Sequence, residues 1–247
     1  MTYSIVATDP VSGAMGAATA TGLAAVGGFV THTRFGAGAI ATQGLFTNWI
    51  SGEKGLALLM QGHDANKVME ILVNEDNGSS QRQFIVCDTL GNTAGHTGHA
   101  NKDFKIHVCR QDYAIAGNML AGKDIIEAME AAFLGDESQE LHLRLINSLM
   151  AGEKAGGDYR GTHSCAVKVS YFDRPPFDLR VDWADYNCCQ QLLSIYEKTQ
   201  CTSFQEFIAW VPTIAEPDKK KVMLEPAMPL AATLVAPDII ANDKENI

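Results

Sequence analysis

The sequence predicts an α+β protein in which mixed or antiparallel sheets are covered by helices on their outer sides. Two observations carry this prediction. Strand-like and helix-like segments follow in blocks, as strands, a helix pair, strands, a helix pair, strands and a final helix. Regular alternation of one strand with one helix is absent, which disfavours a doubly wound parallel sheet. The chain has 247 residues, 46% of them hydrophobic, which is enough to bury a large core.

The first fifty residues predict four strands. Over 2–8, Tyr3, Ile5 and Ala7 alternate with Ser4, Val6 and Thr8, which is typical of a strand, and Asp9-Pro10 ends the run. The other three strands are expected at 15–21, 29–35 and 37–43. Glycine and alanine dominate residues 13–28, so another backbone or a ligand can approach this stretch closely.

Two helices are expected next, at 52–62 and after Asp64, whose side chain suits an N-cap. Strands return at 83–89, in the segment through His99 and at 113–118. A helix over 125–133 is stopped by Gly135, and Ser138 is expected to cap a helix that ends near Gly152. Strands at 163–170 and 178–182 and a helix from Tyr186 to Tyr196 follow.

Composition and charge exclude several classes of function. The formal net charge of -10 argues against a nucleic acid or an anionic membrane as partner. No apolar run approaches the roughly 20 residues of a membrane span, and no signal peptide is visible, so the expected location is the cytoplasm. The six cysteines lack CxxC spacing and are expected to be small buried groups.

Composition shifts after about Thr202, where five of the eight prolines lie from Pro212 onward. We expect one domain over residues 1–202 and a proline-rich C-terminal extension over 203–247. The extension is expected to be an extended arm that packs on the domain or on a partner subunit, because its apolar residues need cover. A homo-oligomer is therefore expected.

Five strings occur in one order along the chain, "TYSIVATDPVSG", "GAGAIATQG", "AGNMLAG", "AGGDYRG" and "DLRVD". In these strings residues 2–199 resemble the DUF1028 family, which is grouped with the N-terminal-nucleophile (Ntn) hydrolase superfamily. The resemblance implies a four-layer αββα sandwich of two antiparallel sheets flanked by helices. It also implies an N-terminal Thr, Ser or Cys that attacks a carbonyl carbon.

Thr2 is the candidate nucleophile. Removal of Met1 would leave a threonine whose own α-amine can take the proton of its hydroxyl, since the ordinary pKa of such an amine is about 7.7–8.0. If Met1 is retained, Thr2 carries only an amide nitrogen, which is no base, and Thr2 is then a structural strand residue. In the catalytic interpretation, Thr2 Oγ is expected at the base of a cleft with Asn118, Asp158 or Arg160 at its rim.

Five further residues are candidates for the site. Asp158 can orient the amine and Arg160 can bind a substrate carboxylate, or the two can form an ion pair that braces their loop. Asn118 can donate a hydrogen bond to an oxyanion, or be a turn or cap residue. The remaining substrate-binding candidates are Arg34, the only Lys or Arg before Lys54, and Gln43, in the second string.

Histidines 96, 99 and 107 form a weak metal pattern, because no carboxylate at short range completes a zinc site. His163 and Cys165 are spaced to share a strand face, which suits either an activated thiol or a core pair. No metal and no cofactor are expected. The predicted function is hydrolysis of the C–N amide bond of a small substrate, including one with a carboxylate. The alternative is a non-catalytic protein of the same fold that binds a small molecule or is a scaffold.

Overall fold

The computed structural model describes residues 2–220 as ten strands, six α-helices and two short 3₁₀ turns. The strands are β1 (Thr2–Thr8), β2 (Met15–Thr21), β3 (Thr31–Arg34), β4 (Gly38–Gly44), β5 (Arg82–Asp88), β6 (Thr93–Thr97), β7 (Ile106–Arg110), β8 (Tyr113–Asn118), β9 (Ser164–Ser170) and β10 (Phe177–Val181). The helices are α1 (Trp49–Met60), α2 (Ala65–Glu75), α3 (Asp124–Leu134), α4 (Leu141–Lys154), α5 (Cys188–Thr199) and α6 (Thr202–Ile208).

The strands form two antiparallel sheets. The six-stranded sheet has the order β10-β9-β2-β1-β8-β7, and the four-stranded sheet has the order β3-β4-β5-β6. Strand β1 lies near the centre of the larger sheet, between β2 and β8, and all of its residues are buried. The fold is thus α+β, as the order of elements predicted.

Four layers result from the packing of helices on the outer faces of the sheets. Helices α1 and α2 cover the four-stranded sheet, while α3, α4 and α5 cover the six-stranded sheet. Three apolar clusters separate the layers. The cluster between the two sheets consists mostly of small residues, among them Val6, Ala17, Ala39, Ile85 and Ala116. The αββα sandwich is therefore confirmed.

The small residues of β2 are explained by a close helix, since α4 packs directly on this strand. A Cβ atom at Gly16 would lie 2.5 Å from Leu145 Cδ1 and 3.1 Å from Leu141 Cδ2. The expected close approach beside this stretch is therefore made by a helix on the outer face of the sheet.

Most of the predicted elements are present with shifted ends. The strands predicted at 15–21 and 113–118 have those bounds, and Asp64 caps α2 by accepting from Lys67 N at 2.8 Å. The cap predicted at Ser138 is wrong, because its hydroxyl donates to Asp136 Oδ1 and α4 begins three residues later. Strand β7 was not predicted.

The C-terminal extension departs from the expected extended arm within the described residues, since it begins with the helix α6. The remaining part of the predicted arm, residues 221–247, lies outside the described residues. Within residues 2–220, every helix is too short or too polar to cross a bilayer.

Candidate functional site

Thr2 lies at one end of the sandwich, where β1 begins. In the register of the sheet it is opposite Thr21 of β2 and Asn118 of β8. Side chains alternate along a strand, so Thr2 and Ser4 share the inner face with Val6, which belongs to the cluster between the sheets. Thr2 Oγ1 lies 3.2 Å from Thr21 Oγ1, within hydrogen-bond distance. The candidate hydroxyl therefore lies beside another polar group, on a residue that is 9% exposed.

A chain of buried polar side chains joins the two sheets beside Thr2. Ser4 Oγ donates to Thr19 Oγ1 at 2.8 Å and also contacts Gln43 Oε1. Gln43 Nε2 donates to the backbone oxygen of Thr2 at 3.3 Å and to Gln83 Oε1 at 2.7 Å. Gln43 thus contacts the backbone of the candidate nucleophile directly.

Asn118, at the end of β8, is 1% exposed and completes this chain. Its Nδ2 donates to Gln83 Oε1 at 3.0 Å. Its Oδ1 is buried and accepts no hydrogen bond from the described residues. Asn118 thus lies opposite Thr2 with one buried acceptor atom that no described residue satisfies.

Asp158 is brought to the same end of the sandwich by the loop between α4 and β9. Gly22 N, one residue past Thr21, donates to Asp158 Oδ2 at 2.6 Å, and Asp158 forms an isolated β-bridge with Leu120. The Asp158 side chain is fully buried. Leu120 lies two residues past Asn118, and Gly22 lies one residue past Thr21. Its contacts with these two residues hold Asp158 at the same end of the sheet as Thr2.

Arg160 forms an ion pair with Asp158. Its Nε donates to Asp158 Oδ1 at 3.0 Å, its Nη2 to Oδ2 at 2.8 Å, and its backbone N to Oδ1 at 2.9 Å. Burial opposes ionisation of Asp158, but the hydrogen bonds from Arg160 outweigh it and lower the pKa of this carboxyl. Asp158 is therefore an ionised carboxylate at neutral pH, in the bracing ion pair that the sequence left as an alternative.

Five of the six candidates thus belong to one cluster, namely Thr2, Gln43, Asn118, Asp158 and Arg160. Arg34 does not join them. In the register of β3 and β4, Arg34 is opposite Gly38. Gly38 lies five residues before Gln43 in β4, so Arg34 is about 16 Å from Gln43 along the strand direction. Its side chain lines cavities together with Phe35 and Glu53 at the other end of β3.

The other histidine and cysteine candidates have separate partners. His96 Nε2 contacts Ser79 O at 2.9 Å, and His107 Nδ1 contacts Thr97 Oγ1 at 2.8 Å. Residues 2–220 contain no group of three or more His, Cys, Asp or Glu residues that could hold a metal ion.

The His163 and Cys165 side chains do not form the pair that their spacing allowed. His163 stacks on Trp183 with ring centroids 4.7 Å apart, and its Nδ1 contacts Ala184 O at 2.8 Å. Cys165 is buried under α5, with its Sγ 3.3 Å from Cys188 Sγ.

Gln83 is the site residue that the sequence analysis missed. It is fully buried and joins Gln43 to Asn118. The sequence signal for Gln83 was a glutamine near the start of an apolar strand. Gln43 has the corresponding position near the end of β4. In the register Gln43 pairs directly with Gln83.

A well-formed cavity among the described residues lies away from Thr2. It measures about 480 Å³ and lies between α5, α6 and β10, where His142, Phe177 and Tyr196 line it. His142 is 7% exposed, its ring stacks on Phe177 with centroids 4.4 Å apart, and its Nδ1 contacts Tyr171 Oη at 2.8 Å. Burial lowers the pKa of His142, so its imidazole is neutral at pH 7.

Comparison with known proteins gives a family and a similar structure. The family model described as "Family of unknown function (DUF1028)" matches residues 2–192. The structure is similar to the crystal structure of protein SPO2555 from Silicibacter pomeroyi, which is described with the same DUF1028 family model. That similarity has a TM-score of 0.84 and 33% sequence identity over 89% of this chain and 98% of the other. No curated protein matches the chain.

Proposed function

The chain belongs to the DUF1028 family of unknown function, and from this premise we propose that it is an amidohydrolase with Thr2 as its nucleophile. The observation that carries the proposal is the convergence of Thr2, Asn118 and Asp158 from three distant segments at one end of the sandwich. A hydroxyl, an unpaired buried amide oxygen and an ionised carboxylate are there together. The proposal includes membership of the Ntn-hydrolase superfamily, which the two sheets between helical layers support.

In the proposed reaction, the free α-amine of Thr2, exposed by removal of Met1, takes the proton of Thr2 Oγ1 as the oxygen attacks the substrate carbonyl carbon. The same amine then returns the proton to the leaving nitrogen as the C–N bond breaks. An ester between Thr2 Oγ1 and the acyl group remains. Water hydrolyses this ester, which releases the carboxylic acid and restores the hydroxyl.

Asp158 and Arg160 supply the charges of the proposed site. The carboxylate stabilises the ammonium form of the Thr2 amine that exists between the two proton transfers. Arg160 keeps Asp158 ionised and fixes its orientation through two parallel hydrogen bonds. Since 31% of the Arg160 side chain is exposed, its guanidinium can also meet a carboxylate on the substrate.

The test uses untagged protein, intact mass measurement and a panel of small N-acyl amines and N-acyl amino acids. Release of primary amine is measured for the wild type and for Thr2→Ala, Thr2→Ser and Thr8→Ala. We expect loss of Met1, loss of activity in T2A and retained activity in T2S. Thr8 is the matched control, because it is buried at the other end of the same strand.

Two results would contradict the proposal. One is quantitative retention of Met1 in untagged protein from cells. The other is amine release by T2A at the rate of the wild type.

A second candidate function is binding of a small molecule without catalysis, and the 480 Å³ cavity favours it. Its aromatic wall, in which His142 stacks on Phe177 and Tyr196 is tilted against His142, is of the kind that holds an apolar ligand. This function predicts that ligand affinity responds to Phe177→Ala and is unchanged in T2A. Amine release that depends on Thr2 separates the two functions.

A further inference from the structure

The side-chain oxygen of Asn118 lacks a hydrogen-bond partner among the described residues. A buried polar atom without a hydrogen bond destabilises the folded state, and few such atoms persist in native proteins. Asn118 Oδ1 is such an atom within the described residues, on a side chain that is 1% exposed. The chemistry of its partner depends on which end of the Asn118 amide faces the site.

The orientation of Gln83 is fixed by backbone groups. Gln83 Nε2 lies 3.0 Å from Gly117 O and 3.1 Å from Ile106 O. A carbonyl oxygen only accepts hydrogen bonds, so the amide nitrogen of Gln83 must face these two atoms. Gln83 Oε1 therefore points toward Gln43 and Asn118.

Gln43 gives a second, independent anchor. Its Nε2 donates to Thr2 O and to Gln83 Oε1, and Thr2 O is again a backbone acceptor. Rotation of the Gln43 amide would place its oxygen against both of these oxygens. The two glutamines thus agree that Gln83 presents an oxygen to its neighbours.

Asn118 must therefore donate to Gln83 Oε1 through its amide nitrogen. In this orientation Nδ2 donates to Gln83 Oε1 at 3.0 Å. The reversed amide would leave two acceptor oxygens at that distance, which is repulsive. Asn118 is therefore held so that its open atom is an acceptor, and its partner must be a donor.

We propose that Asn118 Oδ1 accepts a hydrogen bond from the free α-amino group of Thr2, and that Gln83 is the positioning residue that holds Asn118 in this orientation. Thr2 and Asn118 are direct partners in the register, with Cβ atoms about 5 Å apart and both side chains on the inner face. The inference rests on the proposed function, because only a chain without Met1 carries this amine. The bond aims the amine lone pair at Thr2 Oγ1.

This assignment differs from the donor role that the sequence suggested for Asn118. An oxyanion needs a donor, whereas the open atom of Asn118 is an oxygen. The acceptor also favours the charged ammonium over the neutral amine, so removing it changes the proton affinity of the amine.

The other charged or titratable groups around Thr2 are not replaced in any of the variants of the test. Asp158 and Arg160 face this end of the sheet from the loop between α4 and β9, paired with each other. His163 lies immediately before β9, and its backbone N donates to Thr21 O at 2.8 Å. His107 of β7 is reached from Gln83 through Thr97.

The test measures the titration of the Thr2 amine directly. Full-length protein that begins at Thr2 is made by cleavage of an N-terminal fusion, so the amine is free whatever the natural processing. NMR with ¹³C-labelled threonine follows Thr2 Cβ against pH, and the signal is assigned by its loss in Thr2→Ser.

We expect the titration midpoint to fall by about one to two pH units in Asn118→Leu, because the hydrogen bond stabilises the charged ammonium relative to the neutral amine. In Asn118→Asp, which keeps an acceptor, the midpoint does not fall. In Gln83→Met, which frees the Asn118 amide to rotate, it falls by less than in N118L. Asn147→Leu on α4, where Asn147 contacts Gln139, is the control and keeps the wild-type midpoint.

An N118L midpoint equal to that of the wild type overturns the inference, and so does a fall of equal size in N118D. If N118L does not fold, as judged by its amide spectrum, N118D and Q83M still decide between these outcomes. An unchanged midpoint combined with a raised KM in N118L assigns the acceptor to an N–H of the substrate instead. Failure of the proposed function is separate, since it shows as an active T2A and leaves this titration measurable.

Discussion

Gly22 and Asp158 are in direct contact, with Gly22 N donating to Asp158 Oδ2 at 2.6 Å. The contact joins the end of β2 to the loop between α4 and β9 and leaves no space for a side chain. A Cβ atom at Gly22 would lie 2.6 Å from Asp158 Oδ2 and 2.7 Å from Gly161 O. Because Thr21 pairs with Thr2, this contact ties the Asp158 loop to the strand beside the candidate nucleophile.

Gly22→Ala should therefore destabilise the fold by about 1–3 kcal/mol, the usual cost of forcing extra atoms into a packed site. Urea denaturation measures the free energy of unfolding. Gly28→Ala is the matched control, because nothing lies within 4 Å of a Cβ built at Gly28. Equal stability of G22A and G28A would show that the Asp158 loop moves freely, contrary to this expectation.

Acid should weaken the contribution of Asp158. The pKa of this carboxyl is lowered in the folded protein, whereas in the unfolded chain it is about 3.9. Its ionised form therefore stabilises the fold fully above about pH 4, and this stabilisation is lost as the pH falls further toward the folded pKa. The stability gap between the wild type and Asp158→Asn should be constant from pH 7 to 5 and shrink below about pH 4.

Chemical denaturation at several pH values between 3 and 7 measures this gap. Arg160→Met removes the main partner of Asp158 and should reduce the acid dependence. A gap that is the same at pH 3 and pH 7 would contradict the assigned ionisation.

The elements of this fold could be predicted where residues repeat with a clear period. The buried face of α2 is an example, because its apolar residues recur at helical spacing, and β8 could be predicted as a short unbroken apolar run. Strand β7 escaped prediction for a physical reason. It is at the edge of the larger sheet and none of its residues is buried, so its apolar pattern is weak.

The candidate site could be predicted only in part, since it depends on the register between distant strands. Single residues such as Thr2, Asn118 and Asp158 were visible as polar groups in small-residue segments. Nothing in the sequence states that Asn118 is opposite Thr2, or that Arg34 is at the other end of β3. Gln83 was missed because a glutamine at the start of a strand resembles an exposed end.

One cysteine thiol should react fast with a disulfide reagent, and several others should not react in the folded protein. Cys201 is exposed, and hydrogen bonding with Ser203 lowers the pKa of its thiol. Cys87 is buried, and burial raises the pKa of its thiol. Since the thiolate is the reactive form, Cys201 should react first with a disulfide reagent at pH 7.

Cys201→Ser should remove the fast phase of thiol labelling, while Cys165, Cys188 and Cys189 should react only in denaturant because they are buried. Absorbance kinetics with a chromogenic disulfide measure both phases. A fast phase of unchanged size in C201S would contradict the prediction.

The final prediction concerns association of the chain with itself. Phe207, Trp210 and Ile214, which follow one another along the C-terminal part of the described residues, are 63%, 43% and 58% exposed. Phe207 and Trp210 line one surface cavity. Exposed apolar side chains close to one another mark interaction surfaces, and we expect a second copy of the chain to cover these residues. The double variant Phe207→Ser/Trp210→Ser should then shift sedimentation velocity profiles toward a smaller species at equal concentration. Leu90→Ser is the control, since Leu90 is 78% exposed on the turn between β5 and β6 and belongs to another surface. A wild-type protein that is monomeric at every concentration, or a double variant of wild-type size, would assign these residues to the monomer surface.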